Sequence, residues 1–156
     1  MKKELRQIAS FSVNHNTLER GIYISRIDGD ITTYDIRVKL PNAGDYLETP
    51  AMHTTEHLIA TYVRSSCYSD RIIYFGPMGC RTGYYLLVRD IKPEEVIALV
   101  CDAFRFLADF EGKIPGATKI ECGNYLEHDL KGAKREAAEY VKMLNGYTVD
   151  RLKYKE

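Results

Sequence analysis

Ile22-Tyr23-Ile24-Ser25-Arg26-Ile27, then Asp28-Gly29-Asp30, then Thr32-Thr33-Tyr34-Asp35-Ile36-Arg37-Val38-Lys39-Leu40 is the stretch whose reading decides the fold class. Both runs are rich in β-branched and aromatic residues, and Tyr34, Ile36, Val38 and Leu40 alternate with polar positions in the second. Asp-Gly-Asp between them is tight-turn chemistry, and a tight turn joins antiparallel strands, since parallel ones need a long crossover. An antiparallel hairpin over Ile22 to Leu40 is the expectation.

Working outward, Arg71 to Phe75 and Gly83 to Arg89 read as two further short strands, separated by Gly76-Pro77-Met78-Gly79-Cys80-Arg81-Thr82. A helix is predicted from about Pro50 to Ser66, with Thr49 as N-cap, proline in the first turn, and Leu58, Ile59, Tyr62 and Val63 at helical spacing. Pro93-Glu94-Glu95 opens a second helix whose buried face is Val96, Val100, Phe104 and Leu107, ending near Gly112. Leu130, Ala133, Ala137, Val141 and Leu144 draw a third, stopped by Asn145-Gly146. This order predicts an α+β fold with a mainly antiparallel sheet and helices packed on one face. With no linker, repeat or low-complexity run, residues 1–156 read as one domain.

Lys plus Arg balance Asp plus Glu at 22 each, so the charge gives no reason to expect nucleic acid or an anionic membrane as partner. A small substrate or a protein partner is expected. The charged N-terminus is not followed by an apolar leader region, and no run approaches about 18 apolar residues. A cytoplasmic location follows, where Cys67, Cys80, Cys101 and Cys122, with no C-x-x-C spacing, read as thiols.

The chemistry is carried by His53-Thr54-Thr55-Glu56-His57. On a helix, positions i, i+3 and i+4 share a face, so two imidazoles can ligate one divalent ion with Glu56 beside them to move protons. The positive end of the helix dipole disfavours imidazolium there, which leaves both rings neutral and ready to ligate. H-x-x-E-H is also the inverzincin signature. The plain alternative is an amphipathic helix with two surface histidines. A catalytic site usually takes a third protein ligand. Cys101 falls in an apolar helical pattern and reads as packing; Cys67 lies at the far end of the motif helix. Cys80 and Cys122, each flanked by glycine, both remain as the third ligand or as a free, thiolate-prone base. His128 reads as a structural residue at a helix start.

Several blocks together resemble the S-ribosylhomocysteine lyases of the LuxS family, from about Ser10 to about residue 145. They are Ser10-Phe11 with Asn14-His15-Asn16, Tyr34-Asp35-Ile36-Arg37 with Pro41-Asn42, His53 to Leu58, Pro77 to Tyr85, Glu121-Cys122-Gly123, and His128-Asp129-Leu130 followed by Gly132-Ala133-Lys134. The resemblance implies His53, His57 and Cys122 as metal ligands, with Fe²⁺ as the natural ion and Zn²⁺ or Co²⁺ able to substitute. It implies Cys80 and Glu56 as the acid–base pair, and Ser10, His15 and Arg37 near the sugar; Arg64 is a further contact expected for the amino-acid end of the substrate. The implied reaction yields homocysteine and 4,5-dihydroxy-2,3-pentanedione, the autoinducer-2 precursor of quorum sensing, and serves the methyl cycle. A homodimer with active sites at the interface is implied too. Asn14, Thr33 and Tyr74 depart from the family's usual residues, which touches substrate recognition more than chemistry. The rival readings are an inverzincin-type metallopeptidase, which lacks an evident carboxylate third ligand here, and a non-catalytic metal-stabilised module, which would have no need of both Cys80 and Glu56.

Overall fold

The computed structural model describes residues 1–155. The short helix α1 (Ala9–Ser12) leads into strands β1 (Gly21–Asp28) and β2 (Ile31–Arg37), then α2 (Thr49–Arg64), β3 (Ile72–Pro77), β4 (Gly83–Arg89), α3 (Pro93–Ala108) and α4 (Leu130–Met143). The four strands form one antiparallel sheet in the order β1-β2-β4-β3. The α+β architecture matches the sequence expectation, and β1 and β2 are the hairpin.

Register explains which face the helices cover. Ile22 pairs with Ile36, Ile36 with Tyr84, Tyr34 with Leu86 and Leu86 with Phe75. These side chains stand on one face, and with Val96, Val100, Phe104 and Leu107 of α3, Leu58, Ile59 and Val63 of α2, and Ala133, Ala137 and Tyr140 of α4 they make a continuous buried core. Burying a side chain of this size contributes about 1.5–3 kcal/mol. The opposite face carries Tyr23, Asp35 and Tyr85 across neighbouring strands. Tyr154 reaches this face, where its ring stacks on Tyr23.

Among the boundaries that differ from expectation, three bear on the path of the chain around the site. Strand β2 stops at Arg37, not Leu40, because β4 begins opposite it at Gly83; Val38 and Lys39 instead both donate to the Thr82 carbonyl, and Leu40 is 47% exposed. Thr49 is the first residue of α2, and Glu48 takes the cap position without a side-chain cap bond. Helix α3 ends at Ala108, where Asp109 leaves helical geometry, so residues 109–129 form a long connection of turns.

Two close approaches tie the fold to the site. A Cβ on Gly83 would stand 2.3 Å from the Ile36 carbonyl oxygen, so only glycine lets β4 begin against β2 there. The Leu47 amide donates to the Arg81 carbonyl at 2.9 Å, which pins the start of α2 to the loop between β3 and β4.

Candidate active site

His53 and His57 lie one turn apart on α2, ring centroids 4.6 Å apart and nearly perpendicular. Each points its Nδ1 at a carbonyl: His53 at Glu127 O, 2.7 Å, and His57 at Pro115 O, 2.8 Å. A carbonyl can only accept, so both Nδ1 atoms carry the proton and both Nε2 atoms present lone pairs. Metal-ligating histidines are commonly held this way. The connection 109–129 supplies both carbonyls and returns Cys122 to the same place, its Sγ 3.5 Å from Nε2 of His53 and 3.9 Å from Nε2 of His57. The Asn124 amide donates to the same sulfur at 3.4 Å. Two imidazole lone pairs and a thiol converging from three directions fit a single divalent ion. Of the two cysteines that spacing left open, it is Cys122, the one the resemblance names, that lies with the histidines. Glu56 stands on the same helix, partly buried, one residue before His57.

His128, read from the sequence as a structural residue at a helix start, lies directly before the cap of α4 and also beside the metal cluster. Asp129, not His128, caps α4 by accepting from the Gly132 amide. The His128 ring instead stacks on His53 with centroids 4.0 Å apart, and it offers a ligand atom within 4.8 Å of those of His53, His57 and Cys122. Burial, reinforced by His53 and His57, pushes its imidazolium below the ordinary histidine range. The His128-Asp129-Leu130 block of the resemblance marks the residue, but nothing in the sequence places its ring, because the loop that brings it in has no periodicity.

Cys80 is exposed in the turn between β3 and β4, next to Arg81, whose φ is +61°. Its thiol lies 3.0 Å from the Thr82 hydroxyl and 3.9 Å from Nη1 of Arg37. Arg37 is buried and donates from Nη1 to Thr82 at 2.7 Å. Burial alone would lower its guanidinium; Asp35 outweighs that and holds it raised and charged. His15 shares with Cys80 the wall of a cavity of about 280 Å³, together with Pro41, Asn42, Tyr46, Arg81 and Thr82. None of His53, Glu56, His57 and Cys122 lines that cavity. Ser10 lies on a separate cavity of about 310 Å³ with Thr33, Tyr74 and Tyr85. Arg64 sits at the other end of α2, donating to the carbonyls of Ile72 and Ile73. The most voluminous of these cavities, about 460 Å³ between Lys39 and Glu136, includes none of the expected site residues.

Residues 8–149 match the family described as S-ribosylhomocysteinase (LuxS). The chain belongs to the LuxS family. Among LuxS relatives, the S-ribosylhomocysteine lyase of Phocaeicola vulgatus is 50% identical, the alignment covering 96% of this chain and 98% of that protein. The S-ribosylhomocysteine lyase of Clostridium acetobutylicum is 44% identical over 97% of this chain and 100% of its own length. That of Porphyromonas gingivalis is 46% identical over 96% and 99%. Among the described residues, no helix is long and apolar enough to cross a membrane.

Proposed function

We propose that this chain is a carbon–sulfur lyase that cleaves S-ribosylhomocysteine to homocysteine and 4,5-dihydroxy-2,3-pentanedione, the precursor of autoinducer-2. The observation that carries the reading is the convergence of Cys122 on the two motif imidazoles in a chain of the LuxS family. Residues 1–156 act as one lyase domain.

The chemistry follows from the substrate. A thioether on an unactivated carbon does not leave, so the sugar carbonyl has to move along the chain until the sulfur is β to it. A divalent ion held by His53, His57 and Cys122 would supply Lewis-acid stabilisation of the sugar oxygens. Cys80, as thiolate, takes a proton from the carbon next to the carbonyl and returns it to the former carbonyl carbon. Arg37, held charged by Asp35, places its Nη1 3.9 Å from that sulfur. Glu56 carries the hydroxyl protons in each shift and assists departure of homocysteine thiolate in the final elimination. His15 shares the cavity wall with Cys80; Arg37, whose Nη1 faces Cys80, and Ser10, on a separate cavity, are read as further contacts of the sugar. Arg64, read as a contact for the amino-acid end, has to release the carbonyls of Ile72 and Ile73 to serve it.

Fe²⁺ is the proposed resident ion, with Zn²⁺ or Co²⁺ as substitutes; a borderline set of two imidazoles and one thiolate suits these metals. The enzyme acts as a homodimer with its sites at the interface. Supporting this, Ile120 and Leu126, 95% and 80% exposed, flank Cys122, Phe11 is exposed beside Ser10, and the Cys80 cavity is not walled by the metal ligands. It works in the cytoplasm, where the four free cysteines stay reduced. The test is incubation of metal-loaded protein with S-ribosylhomocysteine and measurement of free thiol. Homocysteine release that disappears in Cys80→Ala supports the reading; no thiol release from fully loaded protein refutes it.

A further inference from the structure

We infer that His128 is a substrate-contacting residue whose Nε2–H stands beside the His53, His57 and Cys122 cluster as a donor for an oxygen of the sugar. This rests on the lyase reading above. Nε2 of His128 is buried and has no hydrogen-bond partner among the described residues. Buried polar atoms nearly always have one, so the atom marks a place where an occupant is missing. The ring lies against His53, centroids 4.0 Å apart at 20°, and edge-on to His57 at 4.8 Å, so the occupant it would meet sits at the metal cluster.

The surrounding bonds fix the tautomer. The Thr54 hydroxyl oxygen accepts from the Asp129 amide at 3.0 Å and lies 2.9 Å from Nδ1 of His128. Thr54 is fully buried, so its own hydroxyl proton needs an acceptor, and Nδ1 is the one in reach among the described residues. With Thr54 donating to Nδ1, the ring proton belongs on Nε2. A protonated Nε2 offers no lone pair and does not ligate. The stacking agrees: two nearly parallel rings with centroids 4.0 Å apart direct their in-plane nitrogens along separate lines, so His53 and His128 would not both hold one ion. His53 is the ligand and His128 the donor. Thr54, within the motif helix, thus orients a group that the neighbouring His53 cannot supply.

The test uses the Cys80→Ala protein, which is blocked in turnover, loaded with Co²⁺ and titrated with S-ribosylhomocysteine while the visible Co²⁺ absorption is followed. His128→Phe keeps the stacked ring and removes both nitrogens. We expect its Co²⁺ spectrum without substrate to be unchanged and its substrate affinity to fall about tenfold, with His128→Gln, which retains an N–H donor, recovering part of the loss. A second measurement needs no variant: imidazole ¹⁵N shifts of the Zn²⁺-loaded wild-type protein should report the Nε2–H tautomer for His128. Unchanged affinity in His128→Phe, a changed Co²⁺ spectrum before substrate is added, or an Nδ1–H tautomer each overturns the inference. A parental protein that binds no S-ribosylhomocysteine overturns the lyase reading itself, whereas binding that His128→Phe leaves intact sinks only the role of His128.

Discussion

Asp35 grips Arg37 with both carboxylate oxygens: Nε donates to Oδ1 at 3.0 Å and Nη2 to Oδ2 at 2.7 Å, with the two residues 1% and 3% exposed. The Tyr154 hydroxyl, 119 residues away, donates to the same Oδ2 at 2.7 Å. This leaves Nη1 to face Thr82 and Cys80, so the buried pair aims a cation at the thiol. Removing one member of a buried ion pair leaves the other charge uncompensated and costs about 3–5 kcal/mol. Asp35→Ala is therefore expected to lower the free energy of unfolding by that amount in denaturant titration. A loss below about 1 kcal/mol would show that the pair is not what holds Arg37.

Glu56 and Cys80 are assigned proton transfer, not metal binding. A positioned acid or base contributes about 10²–10⁴-fold, so Glu56→Gln and Cys80→Ala should each lose that much turnover. Metal content per chain should stay at the wild-type value. Loss of the ion along with activity in either variant would move that residue into the ligand set.

Gly116 has φ +70°, and a Cβ there would stand 3.2 Å from Nδ1 of His57. The neighbouring Pro115 carbonyl orients that ring. Gly116→Ala should strain the turn and displace the carbonyl, weakening metal affinity about 10–100-fold in a competition titration with a chelator. Wild-type affinity in this variant would mean that the His57–Pro115 bond is dispensable.

Several tyrosines set an alkaline limit. Burial, helped by Tyr147 and then Glu19, raises Tyr23 from 10.0 to about 12, and burial raises Tyr84, Tyr140 and Tyr154 as well. A group whose folded pKa lies above its unfolded value contributes stability that is complete below the unfolded pKa and lost as pH rises through the folded one. From these groups the unfolding midpoint should hold to about pH 10 and fall between pH 10 and pH 12. A midpoint level across that window would contradict their burial as neutral phenols.

What the sequence revealed was local. The alternation of Tyr34, Ile36 and Val38 and the turn at Gly29 fix a hairpin by themselves, and the spacing of His53, Glu56 and His57 fixes one helix face. The end of β2 was not legible because its partner decides it: β4 begins at Gly83, and the alternation runs past the last residue that has anything to pair with. Spacing left Cys122 and Cys80 equivalent and only the resemblance separated them, because the path of residues 109–129, which carries Cys122 and the carbonyls facing the two histidines, is built of turns. His128 and Tyr154 act through contacts 74 and 119 residues distant in the chain, which no spacing rule reaches.

X-ray absorption at the metal edge of anaerobically prepared protein tests the central claim most directly. The account predicts one divalent ion per chain with two imidazole nitrogens and one sulfur in its first shell, the sulfur lost in Cys122→Ala and retained in Cys80→Ala. A shell without sulfur, or one whose sulfur vanishes with Cys80 instead, would contradict it.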